Sequence, residues 1–325
     1  MKRLAALLIT AFALTASIAT RCDAETIRLA VQKTGTFAWE LAVIRAHGLD
    51  KQANLSIELV ELASPEAGKI ALRAGNADII VSDWLWVSRE RGLGGKLTFY
   101  PYSSALGAVM VPGTSPMRTL ADLKGHTLAV AGGPIDKNWL LLQASLKQDG
   151  TDLKTDSNII YGAPPLLAAK ALSGETDATL TYWNFCAVLE TKGLRRLAGI
   201  EDILPKLGAK GRTTMLGYVF DEDWGNSHTD LLARFISMTK KAKEILSSSD
   251  AEWDRIQSLT GVTDAATLRA YRDGYRQGIP RRTVVEEEQD ARVLYRVLAK
   301  IGGRDLVGPA PELDPGTFYH AIPGD

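Results

Sequence analysis

Cysteine is almost missing from this chain of 325 residues: there are two, Cys22 and Cys186. If the first is lost in processing, as argued below, no intramolecular disulfide can form. A core of about 300 residues is large enough to do without one. Cys186 sits in the apolar stretch Phe185-Cys186-Ala187-Val188-Leu189 and reads as a small buried hydrophobe, not a nucleophile. Net charge is missing too, with 38 basic and 38 acidic side chains. That balance leaves no electrostatic footprint for nucleic acid, and no lysine-rich block suits a membrane surface. Histidine is sparse, and His47, His126, His228 and His320 are scattered. The spacings His-x-x-x-His, Cys-x-x-Cys, Gly-x-Ser-x-Gly and the phosphate loop do not occur. No catalytic residue, metal or cofactor is therefore expected, and the reading is not an enzyme.

The N-terminus carries the most specific local signal. Lys2 and Arg3 precede an apolar run from Leu4 to Ala19, and Cys22-Asp23-Ala24 places small side chains before a cut at Glu25. Positive start, apolar centre and small-x-small exit describe a secretory signal peptide, and the run is short for a membrane span. Cys22 raises lipidation as the alternative, but Arg21 stands where that pattern wants a small residue. Cleavage after Ala24 is the preferred reading, with residues 1–24 as signal peptide and a periplasmic product. The mature chain then carries 35 basic and 37 acidic side chains, because Lys2, Arg3, Arg21 and Asp23 are removed.

Beyond Glu25 short β-like runs alternate with helical segments. Strands are expected at 27–31, 55–62, 77–81 and 97–102, with helices at 37–46, 65–74 and 84–91 between them. A turn-rich break at Pro112-Gly113-Thr114-Ser115-Pro116 and a short helix at 119–123 come next. The alternation then restarts, with strands at 127–131, 158–161, 177–181 and 194–198. Such alternation implies parallel sheet built from β-α-β units, here in two successive sets. One more strand is expected at 213–220, and the remainder is helical with an amphipathic face at Leu232, Phe235, Ile236 and Thr239. The run Glu286-Glu287-Glu288 near the start of the last helix reads as a solvated, dipole-favouring cluster.

Four stretches carry a family resemblance. They are Thr36 to Leu49 followed by Leu55-Ser56-Ile57-Glu58-Leu59, then Ala71-Leu72-Arg73-Ala74-Gly75-Asn76-Ala77-Asp78. Leu120-Ala121-Asp122-Leu123-Lys124-Gly125-His126-Thr127-Leu128-Ala129-Val130 and Ala171-Leu172-Ser173-Gly174-Glu175-Thr176-Asp177-Ala178 complete the set. In order and spacing these resemble the periplasmic binding proteins of nitrate, sulfonate, taurine and thiamine-precursor ABC importers. The resemblance covers nearly all of 25–250. It implies the two-lobed α/β periplasmic-binding-protein type II fold, each lobe a mostly parallel sheet flanked by helices, with a helical C-terminal extension on lobe one. Lobe one is expected at 25–106 plus 212–325 and lobe two at 107–211. The implied role is capture of a small solute for a membrane permease with its ATPase, by a monomeric protein. An enzyme on the same scaffold and a sensory receptor for a membrane kinase are the alternatives. Gly75, Asp78, Gly174 and Asp177 read as folding devices, the glycine ending a helix in a left-handed cap.

In open α/β sheets ligands bind beyond the carboxyl ends of strands, which nominates four loops. The first supplies Lys33, Thr34, Thr36 and Phe37, and the second Ser82, Asp83 and Trp84. In lobe two they are Gly132, Gly133, Asp136 and Lys137, then Tyr182, Trp183 and Asn184. Tyr218 is added from the returning strand. Five of the seven tryptophans, Trp39, Trp84, Trp86, Trp139 and Trp183, fall in or just after these loops. Trp84 and Trp183 divide evenly between facing a ligand and packing a helix start, whereas Trp39, Trp86 and Trp139 read as core or lobe-edge. Asp83 and Asp136 are equally candidate helix caps. Helix-opening amides suit an anionic or polar ligand, Gly132-Gly133 would let backbone approach it, and Lys33 and Lys137 offer charge from opposite lobes. The expected solute is larger than nitrate or taurine, an aromatic or alkyl acid. An amine held over indole rings is the alternative.

Overall fold

A computed structural model describes residues 24–32, 35–62 and 64–322. The signal-peptide reading of 1–24 and the candidates Lys33 and Thr34 thus fall, but for Ala24, outside the described residues.

The first half begins with β1 (Glu25–Gln32), α1 (Thr36–His47), α2 (Leu49–Gln52) and β2 (Leu55–Leu62). It continues through α3 (Pro65–Arg73), β3 (Ile79–Asp83), α4 (Trp84–Gly92) and β4 (Leu97–Ser103). The chain then crosses over to β5 (Ala108–Pro112), β6 (Thr127–Ala131), α5 (Lys137–Gln148), α6 (Leu153–Asp156) and β7 (Asn158–Gly162). Next come α7 (Pro164–Ser173), β8 (Ala178–Thr181), α8 (Trp183–Thr191), β9 (Leu194–Gly199) and α9 (Ile200–Ile203). A second crossover returns to β10 (Leu216–Asp221), and the tail is α10 (Glu222–Ser227), α11 (Thr229–Ser248), α12 (Asp250–Thr260), α13 (Ala265–Gln277) and α14 (Val284–Val307).

Two five-stranded sheets result, in the orders β2-β1-β3-β10-β4 and β7-β6-β8-β5-β9. In each, three strands are parallel, and the strand that arrives from the other half enters antiparallel to both neighbours. Each sheet is thus mostly parallel, as expected, and is made mixed by that one antiparallel strand. An arriving strand enters from the opposite end, so β5 and β10 cannot run with the β-α-β set.

Each half is started by the same device. Asp78 Oδ2 accepts from Arg28 N at 2.7 Å while Asp78 N donates to Arg28 O, closing the start of β3 against β1. In the second half Asp177 Oδ2 accepts from Thr127 N at 2.8 Å and Asp177 N donates to Thr127 O. A carboxylate of fixed reach on the residue just before the strand sets the register, which explains the repeated Gly-x-x-Asp without invoking a ligand.

The tail does more than extend lobe one. Helices α11 and α12 pack on α1, but α13 packs against α8 of the second half and α14 against both α4 and α5. Thr191 on α8 and Thr267 on α13 join hydroxyls at 2.9 Å. The acidic run at the head of α14 has three separate duties. Glu286 closes a capping box with Thr283, Glu287 is buried and accepts from Thr214 N at 2.7 Å, and Glu288 pairs with Arg292 and with His320 at 2.7 Å. The solvated, helix-start reading holds for the exposed Glu286, whereas packing buries Glu287 and brings His320 to the half-buried Glu288. Among the described residues no helix is long and apolar enough to cross a membrane.

Candidate functional site

Four helices start at the carboxyl ends of strands where the candidate loops lie, and they differ in how their first amides are satisfied. Asp83 caps α4, its Oδ1 accepting from Trp86 N at 2.9 Å. Asp136 caps α5, its Oδ1 accepting from Asn138 N at 2.9 Å and Trp139 N at 3.3 Å. Both aspartates occupy the places an anion would take. Helices α1 and α8 are different: Gly35 and Tyr182 precede them, and neither supplies a side-chain cap. Among the described residues no side chain caps these two starts, and of the α1 amides Ala38 N donates to Gly35 O at 2.9 Å, leaving the earlier ones to the positive end of the dipole.

The two uncapped starts meet across the halves. Trp39, one turn into α1, presents its ring edge to Trp183, the first residue of α8, with centroids 6.2 Å apart. Tyr271 of α13 stacks on Trp39 at 5.7 Å and tilts against Trp183 at 5.8 Å, and its hydroxyl bonds the Asn184 side chain. Trp183 and Asn184 remain half-buried, with part of the ring left for a ligand. Thr36, at the start of α1, is also half-buried and shares a hydrogen bond with the Tyr102 hydroxyl at 3.0 Å.

On the capped side the halves are tied by charge. Lys137 Nζ donates to Asp83 Oδ2 at 3.0 Å. Burial opposes ionisation of Asp83, yet Lys137 and the Trp86 N–H together hold its carboxyl below the ordinary range. Burial likewise works against the Lys137 ammonium, and Asp83 outweighs it to hold that group above its ordinary value. Beside them the Tyr182 hydroxyl donates to Asp136 Oδ2 at 3.1 Å. Burial raises the Asp136 carboxyl despite Lys137 nearby, and burial with the Asp136 charge pushes the Tyr182 phenol up.

Several sequence candidates land elsewhere. Trp84 is wholly buried, donating Nε1–H to Thr214 O at 2.9 Å and packing on Tyr295. Its ring is core, because α14 covers the face that a ligand would need. Tyr218 and Phe37 are buried with Tyr102 in an aromatic set under the α1 start, with centroid separations from 5.1 to 5.8 Å. Ser82 is buried within β3, opposite Gly217 of β10. Gly132 has φ +87°, and a Cβ there would come within 3.0 Å of the Tyr182 hydroxyl and 3.2 Å of Asp136 Oδ2. The space beside Gly132 thus belongs to the protein's own Asp136–Tyr182 pair, while Gly133 opens onto free space.

Sequence reasoning missed a buried polar group beneath α1. The Glu40 carboxylate, wholly buried, accepts from the Tyr275 hydroxyl at 2.6 Å and from Lys243. Lys243 Nζ also lies 3.9 Å from the centre of the Tyr102 ring, a cation–π contact. Burial lowers the Lys243 ammonium even with Glu40 beside it. A lone glutamate on the apolar face formed by Phe37, Trp39, Leu41 and Ile44 was the available signal. Another was the helical spacing of Tyr271 and Tyr275 on α13, whose first member faces Trp183.

Two mixed five-stranded sheets joined by two crossovers make a two-lobed α/β fold. The chain belongs to the NMT1/THI5-like family, whose model matches residues 41–251, more than half of its length. That agrees with the resemblance carried by the motifs. No curated protein matches it by sequence. Among solved structures it is similar to the periplasmic aliphatic sulphonate binding protein SsuA from Escherichia coli, at 20% identity over 91% of this chain and 92% of that one, TM-score 0.73. The alkanesulfonate-binding protein SsuA from Xanthomonas axonopodis pv. citri, bound to MOPS, is similar at 19% identity over 90% and 98%, TM-score 0.64. A desulfurization enzyme, DSZB, matches at 14% identity over 92% and 97%, also with TM-score 0.64. At these identities the likenesses describe the fold.

Proposed function

We propose that this protein is the extracytoplasmic solute-binding component of an ABC-type importer, and that it holds a small organic acid between its lobes. One observation carries the reading: two uncapped helix starts, α1 and α8, come together across the halves beside the half-buried indole of Trp183. Open amides favour an acidic head, and the indole with Thr36 and Asn184 offers a wall and polar partners for the body. The capped starts of α4 and α5 are already neutralised, so Asp83, Lys137 and Asp136 serve closure and not the solute. Lys33 and Thr34 complete the first loop in this proposal. The two structurally similar proteins that bind an aliphatic sulphonate or an alkanesulfonate support an acid as the ligand class.

The lobes in this reading are 25–106 with 212–325, and 107–211, supported by the strands each sheet collects. Export by a signal peptide cut after Ala24 delivers a monomeric product to the periplasm, where a permease and its ATPase take up the solute. Catalysis is disfavoured by chemistry: Cys186 is buried, its thiol pushed up to about 12, and it leans on Thr181 O. A thiol so placed is not a nucleophile at neutral pH.

Native mass spectrometry of protein taken from its own periplasm tests the proposal, with a retained organic acid expected. Tryptophan fluorescence titrated with alkanesulfonates and aryl carboxylates then measures affinity. Turnover of the captured compound, or a mature chain found only in the cytosol, overturns the reading.

A further inference from the structure

A cavity of about 360 Å³ lies at the hinge, lined by none of the four candidate loops. Its walls include Ser104 from the first crossover, Arg212 from the second, Arg276 at the end of α13, Arg281 and Arg282 from the α13–α14 linker, and Glu287 on α14. Four arginine side chains line one space of ligand size, and like charges gathered so closely repel unless something answers them.

The protein answers them incompletely. Arg282 donates to Asp290 at 2.5 Å, to Arg212 O at 3.4 Å and to Glu286 O at 3.2 Å, and Arg276 donates to Asp250 at 2.8 Å and Leu246 O at 3.1 Å. Arg212 donates to Gln277 O at 3.3 Å and stands 3.7 Å from Glu201, a carboxylate it shares with Arg196. Asp250 is shared in the same way with Arg272. Arg281 is exposed and makes no hydrogen bond or ion pair among the described residues. The one lining carboxylate, Glu287, is turned to Thr214 N at 2.7 Å. Each guanidinium has five N–H donors, so all four retain donors while the cavity's own acceptor is committed.

We infer that this hinge cavity is a second ligand site, for a compact, multiply charged anion bearing phosphate or carboxylate groups. Arginine presents paired donors that match such groups bidentately. The volume stands at the low end of small-molecule sites, roughly 300–1,000 Å³. Both crossovers contribute wall, and the linker packs on the first of them, with Ser104 N donating to Gly278 O at 2.9 Å. A bound anion therefore ties the two connections between lobes to the tail that spans them, and it favours the lobe angle in which those walls are together. This site is independent of the solute reading of the cleft.

The test is calorimetric titration of the mature chain, residues 25–325, with inorganic pyrophosphate and with citrate at physiological salt. Saturable one-to-one binding of at least one is expected. Arg281→Gln should weaken it about tenfold or more at unchanged melting temperature, and Arg281→Lys should weaken it less. Lys137→Gln combined with Asp83→Asn, which removes the charge from the cleft while keeping the closed form, should leave the titration close to wild type. No saturable heat with either anion overturns the site, as does binding indifferent to Arg281→Gln. Binding lost in that double variant but kept in Arg281→Gln assigns the anion to the cleft and also overturns it. For the coupling, the radius of gyration from small-angle scattering should change with the same midpoint as the heat. An unchanged radius at saturation refutes the effect on lobe angle.

Discussion

Replacing Lys137 by glutamine should open the cleft without unfolding either lobe. The wild-type pair joins Lys137 Nζ to Asp83 Oδ2 at 3.0 Å, with side chains 34% and 10% exposed. An exposed pair contributes about 0–1 kcal/mol, whereas breaking a buried one costs about 3–5 kcal/mol. With one partner a third exposed, the loss falls between, at about 2–3 kcal/mol. That lowers the closed-to-open ratio about 30- to 150-fold. Opening hydrates Asp83, so the cost attaches to closure, and the α4 cap survives because Trp86 N still donates to Asp83 Oδ1. Adding Asp83→Asn removes the stranded charge and should recover much of the closed form. Small-angle scattering reads the result as a larger radius of gyration in the single variant than in either wild type or the double variant. Superimposable curves for all three would refute the assignment of this pair to closure.

The same pair sets a pH window. Asp83 has a lowered pKa, so its contribution is complete above about pH 4 and disappears as pH falls through the lowered value; Lys137 has a raised pKa, so its contribution is complete below about pH 10 and fades above it. Scattering should show steady closure between those limits and opening beyond either. Trp84→Phe removes the bond to Thr214 O and leaves that carbonyl short of a donor, costing about 1–3 kcal/mol in urea unfolding, with solute affinity unchanged because the ring is core. Gly107→Ala places a Cβ 2.0 Å from Thr181 O, in the crossover beside the Tyr182 loop. A lower melting temperature and weakened solute binding should appear together, and a stable variant with native affinity would contradict the close approach. Trp183→Ala should weaken the solute and also destabilise by about 2–3 kcal/mol, since Trp39, Tyr271 and Gly274 all pack on that ring; calorimetry with thermal melts checks both.

Sequence alone divides Trp183 evenly between facing a ligand and packing a helix start, and the structure gives the ring packing partners while leaving it half-buried. The Gly-x-x-Asp signatures were legible because an aspartate at a strand start needs only its neighbouring strand, and 28 with 78 repeats the arrangement of 127 with 177. The helix starts were legible as well, and Asp83 and Asp136 were readable as caps, since capping reaches two or three residues along the chain. The direction of Trp84 and Trp183 was not legible. Both open helices after a strand, and only the element laid over each separates them: α14 covers Trp84, and α13 leaves Trp183 half-open.

Local pattern alone therefore determined the two α/β sets, their order, the loops at the strand ends and the caps, because period, turn residues and reach are short-range properties. Tertiary structure decided which helix starts stay uncapped beside an indole, how Lys137 finds Asp83 across the halves, and where Glu40, Lys243 and the hinge arginines gather. Those groups are far apart in the chain, and side-chain hydrogen bonds and ion pairs act over a few ångströms. Only the folded path of the crossovers and the tail brings them within that range.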